Sequence, residues 1–338
     1  MACVVPRLRP LLRLQDMSQD FALEIQDEEV GEAVRARYSM TASILRAMLY
    51  STQNEMVVAL GGHDKITLEQ LARIFQEGSG DFGICFEYAL HDSIRARHTS
   101  IYPIVEDVLH TFCNIRGAAE SILFGIEKNG ALKVVETMTN SLTDDARVLG
   151  GKRGQPPLLK RRVGALARAF RSVTHREDLP QSIRGLWQAD LFLGSPSAEQ
   201  WIGTTLKLNR DDLKAAPGLR VGVFPSNAKQ GPYKDTSKNL IMCPLPYRSD
   251  FMVLFGASFQ IAKQLMHSNA AMPKPPALVY EDDLTVAEWL SARKSFPVMA
   301  ILEALQPLMQ PGLIKSASSA DSISADSVKA FAPIPLVG

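Results

Sequence analysis

From about residue 36 to residue 126 the apolar positions recur every three or four residues, the spacing that lines one face of a helix. "TLEQLARIFQEG" opens on Thr67 with Gln70 three residues on, a capping-box pattern, and closes on Gly78. "DFGICFEYALHDSIRAR" (81–97) and "PIVEDVLHTFCNIRG" (103–117) continue the helical spacing. From about residue 183 short apolar runs take over. "IRGLWQADLFLG" and "WIGTTLKLN", separated by the polar, proline-containing "SPSAEQ", predict a hairpin. "GLRVGVFPS" (218–226), "NLIMCPLPY" (239–247) and "DFMVLFG" (250–256) are further predicted strands, and "ASFQIAKQLMH" returns to helix. Helices first, then a mostly antiparallel or mixed sheet with a following helix, indicate an α/β or α+β chain built around one sheet.

Three charged residues interrupt these apolar runs. In "WIGTTLKLN" a period of two puts Ile202, Thr204, Leu206 and Leu208 on one face, and Trp201, Gly203, Thr205, Lys207 and Asn209 on the other. Lys207 therefore does not compete with its leucine neighbours; it either snorkels to water or faces an anion. Asp190 sits in an equally apolar run on the preceding strand, and a hairpin brings it into the same sheet region. A carboxylate and a lysine inside apolar strands are unfavourable unless paired or ion-bound. On the predicted helix 81–97, Glu87 shares a stripe with Ile84, Leu90 and Ile94.

Composition adds little until charge is read by position. Apolar residues make up 46% and charged residues 22%, an ordinary globular balance, and the net charge is +1. Yet residues 147–176, "RVLGGKRGQPPLLKRRVGALARAFRSVTHR", hold nine Lys or Arg and no Asp or Glu, so the remainder sums to −8 (+1 less +9). The run contains a Gly/Pro loop (Gly150 to Pro157), and phosphate binding explains it better than a solvated basic surface. Lys152, Arg153, Lys160, Arg161, Arg162 and Arg168 are its candidate nucleic-acid contacts. Cys3, Cys85, Cys113 and Cys243 lie far apart without metal-ligand spacing, which suits a reducing cytoplasm. No apolar run is long enough to predict a transmembrane helix. The arginines of "MACVVPRLRPLLRLQ" are set among prolines that spoil a targeting helix, so a loosely packed N-terminus is expected.

A helix with G-x-x-F-E (Gly83 to Glu87), a strand carrying Asp190, a hairpin, and a strand ending T-x-K (Thr205 to Lys207) together resemble the PD-(D/E)XK, restriction-endonuclease-like nuclease superfamily. The resemblance covers 83–94 and 185–225. Ala189 stands where that pattern has a proline, and Thr205 where it has a second acid. Some branches are similar in using a small or hydroxyl residue there with a glutamate from the helix, the part Glu87 would take. The resemblance implies a mixed central sheet with flanking helices and a helical N-terminal portion. It also implies Mg²⁺ (or Mn²⁺) held by Asp190, Glu87 and the Leu206 carbonyl. Lys207 would then orient water or stabilise charge at phosphorus, with Thr205 completing the catalytic group. Glu199 is a second choice for the missing acid.

Other signals fail on spacing or context. "GSGDFG" (78–83) opens a helix but follows a helical stretch rather than a strand, and "GGKRG" lacks the Ser/Thr of a phosphate loop. The six histidines show no metal-binding spacing, and Trp187 and Trp201 read as a cross-strand pair. The expected organisation is an extension (1–35), a helical region (36–145), a basic loop and helix (146–180), and a sheet core with its following helix (181–270). A helical segment (271–315) and a flexible tail (316–338) containing "SASSADSISADS" complete it. Two functions from different classes follow. One is a metal-dependent DNA endonuclease of restriction or phage-defence type, suited to a homodimer or a partner protein, with RNA open as a substrate. The other is a catalytically inactive, nuclease-like nucleic-acid-binding or assembly subunit of a larger complex.

Overall fold

The runs flanking "SPSAEQ" form a hairpin near the middle of a mixed sheet. A computed structural model describes residues 31–75, 81–124, 142–150, 155–171, 189–216, 218–227, 230–275 and 277–305. Strand β3 (Leu191–Ser195) pairs antiparallel with β4 (Gln200–Leu206), Leu191 opposite Thr204 and Gly194 opposite Trp201. On the other edge of β3 lies β1 (Glu120–Leu123), also antiparallel. Strand β5 (Arg220–Ser226) runs parallel to the end of β4, and β2 (Arg147–Leu149) parallel to its beginning. Strand β7 (Leu240–Pro246) is parallel to β5, and the short β6 (Tyr233–Asp235) closes the sheet antiparallel to β7. The sheet has seven strands among the described residues.

Alternation along these strands makes two different faces. Leu191, Leu193, Ile202, Leu206, Val221 and Ile241 pack into the largest core, beneath a layer of helices. That layer contains α1 (Glu32–Ser51), α2 (Asn54–Ala59), α3 (Leu68–Ile74), α4 (Asp81–Arg95) and α5 (Tyr102–Asp107) from the first half of the chain. It also contains α7 (Asp250–His267), α8 (Glu281–Ala292) and α9 (Val298–Leu305). The helical half of the chain thus shares one core with the sheet. Helix α1 is buried along most of its length, including Arg37 at 1% exposure. The Arg37 guanidinium donates to Asp283 at 2.6 Å and pairs with Asp282 at 3.0 Å, both on α8. Without those carboxylates a buried guanidinium would be strongly unfavourable.

The opposite face of the sheet carries α6 (Leu159–Arg171), whose Leu159 and Val163 pack against Phe192 and Trp201. Farther along that face Leu213, Phe224, Leu240 and Met242 form a separate small cluster. Among the described residues no helix is long and apolar enough to cross a membrane.

The predicted hairpin, the strands at 218–226 and 239–247, and the helix at 81–97 agree with the structure to within a few residues, and the helix expected over 103–117 is α5 continued by a π-helical turn, Val108–Phe112. The capping box is present: Gln70 N donates to Thr67 Oγ1 at 3.2 Å and Thr67 N to Gln70 Oε1 at 2.9 Å. Its helix ends at Ile74, and the predicted end at Gly78 lies outside the described residues. Residues 250–256 differ from expectation: they are the first two turns of α7, not a strand. Ser249 caps that helix by accepting from Met252 N, and burial on nearly every side removes the periodicity that distinguishes helix from strand. Strands β1 and β2 fall in stretches expected to be helical or basic loop. Gly194, rather than an aromatic, stands opposite Trp201; a Cβ there would lie 2.7 Å from the indole. Trp187 lies outside the described residues, as do the N-terminal 30 residues and the tail from 306.

Candidate active site

Strand β3 begins beside the last residues of β4. Asp190 immediately precedes β3; its N–H donates to Thr204 O at 2.8 Å and its carbonyl accepts from Phe124 N at 3.0 Å. Its carboxylate Oδ2 accepts the Leu206 N–H at 2.7 Å. That N–H points along the sheet toward β3, where the next main-chain acceptor of a continuing strand would stand. The side chain supplies the acceptor instead. The carboxylate is thereby fixed at the sheet end, one residue from Lys207.

Lys207 N donates to Val223 O at 3.0 Å, so the main chain stays in register with β5 there. Leu206 and Leu208 pack into the helix-covered core, which turns Thr205 and Lys207 to the face that bears α6. Both are half-buried. The period-two reading of "WIGTTLKLN" therefore holds.

Arg220 joins this group. It begins β5, is 6% exposed, and its guanidinium donates to Thr205 Oγ1 at 3.5 Å. Burial pulls its pKa down, and the negative charge of Asp190 acts in the opposite direction. The same face holds Gly203 beside the arginine stem: a Cβ at Gly203 would sit 3.9 Å from Arg220 Cγ. A polar strip of Thr205, Lys207 and Arg220 thus lies on that face. Arg220 escapes a reading based on acids and a T-x-K motif. The signal that could have found it is the one that drew attention to Lys207, a cation set in an apolar strand, "GLRVGVF".

Glu87 lies on α4, in the layer over the opposite face of the sheet, and is half-buried. One turn farther on, the buried His91 Nδ1 is 3.0 Å from Ser121 Oγ of β1, which orients this side of α4 toward the β1–β3 edge. Glu199 does not approach the group. It sits in the β3–β4 turn, where Oε1 accepts from Thr143 Oγ1 at 3.1 Å, roughly 26 Å along β4 from Lys207.

No family model, curated protein or solved structure matches this chain. Among the described residues no three His, Cys, Asp or Glu side chains gather where a metal ion could be held. What does gather is a hydrogen-bonded carboxylate, a hydroxyl and two cations.

The basic residues divide. Lys160 pairs with Asp144 at 2.9 Å, but Asp144 is 90% exposed, so the pair is weak and readily exchanged. Arg161 is exposed and Arg162 half-buried on α6. Arg168 lies on the same helix with its side chain outside the described part, and Lys152 and Arg153 fall outside the described residues. Arg147 is structural, donating to Pro156 O at 2.9 Å. Leu159 and Val163 anchor α6 to the face that carries Thr205, Lys207 and Arg220.

Proposed function

We propose that the chain is a metal-dependent nuclease that hydrolyses phosphodiester bonds, with DNA as the substrate. The observation that carries this reading is the Asp190–Leu206 hydrogen bond, which puts a carboxylate one residue from Lys207 at the end of β4. A mixed sheet with flanking helices, Asp190 just before one strand and T-x-K at the end of its neighbour agree with the restriction-endonuclease-like resemblance.

The donors suit a hard cation: the Asp190 carboxylate and the Leu206 carbonyl are oxygen ligands of the kind Mg²⁺ or Mn²⁺ takes together with substrate oxygens. Glu87, on α4 over the opposite face, is the further ligand that the resemblance would call on. When bound, the cation neutralises phosphate charge and polarises water. The chain's own residues do the rest. Lys207 orients the attacking water or stabilises the charge that builds on the phosphoryl oxygens, Thr205 holds the Arg220 guanidinium, and α6 grips the nucleic-acid backbone.

A second reading is favoured by one observation. Thr205, at the place of the second acid, contacts a guanidinium rather than offering a carboxylate. A binding or assembly subunit without catalysis would need only the cations. Incubation of the protein with supercoiled plasmid and Mg²⁺, beside Asp190→Ala and Lys207→Ala, separates the two. Nicking lost in both variants supports the nuclease. An inert protein that still shifts plasmid in a gel supports the binding subunit. A restriction or phage-defence setting, and a homodimer or partner protein, belong to the same proposal.

A further inference from the structure

Arg220 is a cation almost sealed within an apolar strand, between Leu219 and Val221. A guanidinium carries five N–H donors and remains charged. Among the described residues its hydrogen bonding amounts to one long contact, to Thr205 Oγ1 at 3.5 Å. None of its nitrogens is among the fully buried side-chain atoms that lack a partner, so the rest of the fork keeps an opening through which an anion can reach it. The charge of Asp190 acts on it, and that carboxylate also accepts from Leu206 N–H.

The formal charges of Asp190, Lys207 and Arg220 sum to −1 + 1 + 1 = +1. A group balanced that way attracts one negative charge, the charge of a phosphodiester. A planar, forked donor also matches two phosphoryl oxygens better than an ammonium does. We propose that Arg220, braced by Thr205, contacts a backbone phosphate directly, so that this end of the sheet binds a phosphodiester without a divalent cation. Thr205 then stands where a second acid would otherwise be needed because the positive charge is supplied by the chain itself. This inference rests on the reading that the sheet end meets nucleic acid; it does not require cleavage.

The test uses the full chain and a fluorescein-labelled 16-base-pair duplex, followed by anisotropy in EDTA across a salt series. The wild-type chain is expected to bind. Arg220→Gln should bind about tenfold more weakly, with a log K against log salt slope shallower by about 1. Wild-type affinity and slope in Arg220→Gln, accompanied only by a lower melting temperature, would make Arg220 a structural partner of Asp190 and overturn the proposal. So would duplex binding that appears only when Mg²⁺ is added. Should Arg220→Gln fail to fold, Arg220→Lys decides. It keeps the charge and loses the fork, so weaker binding at an unchanged slope is expected, and wild-type affinity refutes the idea. Plasmid nicking in Mg²⁺ is measured in parallel. No nicking with Arg220-dependent binding removes the nuclease and leaves this inference standing. Nicking by the wild type, with unaltered duplex binding in Arg220→Gln, does the reverse.

Discussion

The carboxylate of Asp190 takes the place of a main-chain acceptor for Leu206 N–H, at 2.7 Å. The residue that the proposed nuclease would use as a metal ligand is therefore also part of the sheet's hydrogen-bond ladder. Its two roles can be separated by choice of substitution. Asp190→Asn keeps an oxygen acceptor for Leu206 and should leave stability to urea close to that of the wild type, while plasmid nicking is lost. Asp190→Ala leaves the N–H unpaired and should also cost about 1–3 kcal/mol of stability. Equal stability in the two variants would show that the hydrogen bond contributes nothing.

Gly194 tests the hairpin. A Cβ there would lie 2.2 Å from Gln200 O and 2.7 Å from the Trp201 ring, and backbone cannot yield as a flexible side chain does. Gly194→Ala should destabilise by roughly 1–3 kcal/mol, read from denaturant midpoints. A loss under ~0.5 kcal/mol would mean that the strand pair shifts freely.

Asp283 tests the tie between α1 and α8. Asp283→Ala leaves the buried Arg37 with Asp282 as its remaining acid on α8, and Asp282 is 30% exposed. The expected cost is about 3 kcal/mol, the low end for a broken buried pair. Thermal unfolding of Asp283→Ala and Asp283→Asn decides it. If Asn retains no more stability than Ala, hydrogen bonding to Arg37 is not what Asp283 provides.

Two histidines set the response to acid. Burial pushes the His91 pKa down to about 3 and the His98 pKa down to about 4. The folded chain holds both rings neutral, whereas the unfolded chain protonates them near 6.5. Their contribution to stability is complete above that value and falls as pH drops toward 4 and 3. Between pH 7 and pH 5 the loss should be roughly 4 kcal/mol for the pair. Urea titrations at the two values, repeated with His98→Gln, should show the drop reduced by about half in the variant. An identical drop would assign the acid sensitivity to other groups.

The alternation in "WIGTTLKLN" was enough to aim Lys207 away from the core, because a strand with one apolar face has a single workable register. The same logic failed for residues 251–255. They are buried on nearly every side, and an apolar run without a polar face carries no period to read. Strands β1 and β2 are four and three residues long and owe their existence to their partners in β3 and β4. Arg220 shows the limit for the site itself. Its neighbours in sequence are apolar, and only the parallel pairing of β5 with β4 brings it to Thr205.

The bond between Arg37 and Asp283 spans 246 positions of the chain. A ribosome adding about 5–20 residues each second needs on the order of 12–50 s to cover that distance. For most of that time α1, which packs on α4, α7, α8 and α9, has α4 alone among them. The nascent protein therefore carries a long apolar helix with an unneutralised arginine until its last elements emerge, and it is in that interval that a chaperone would find it.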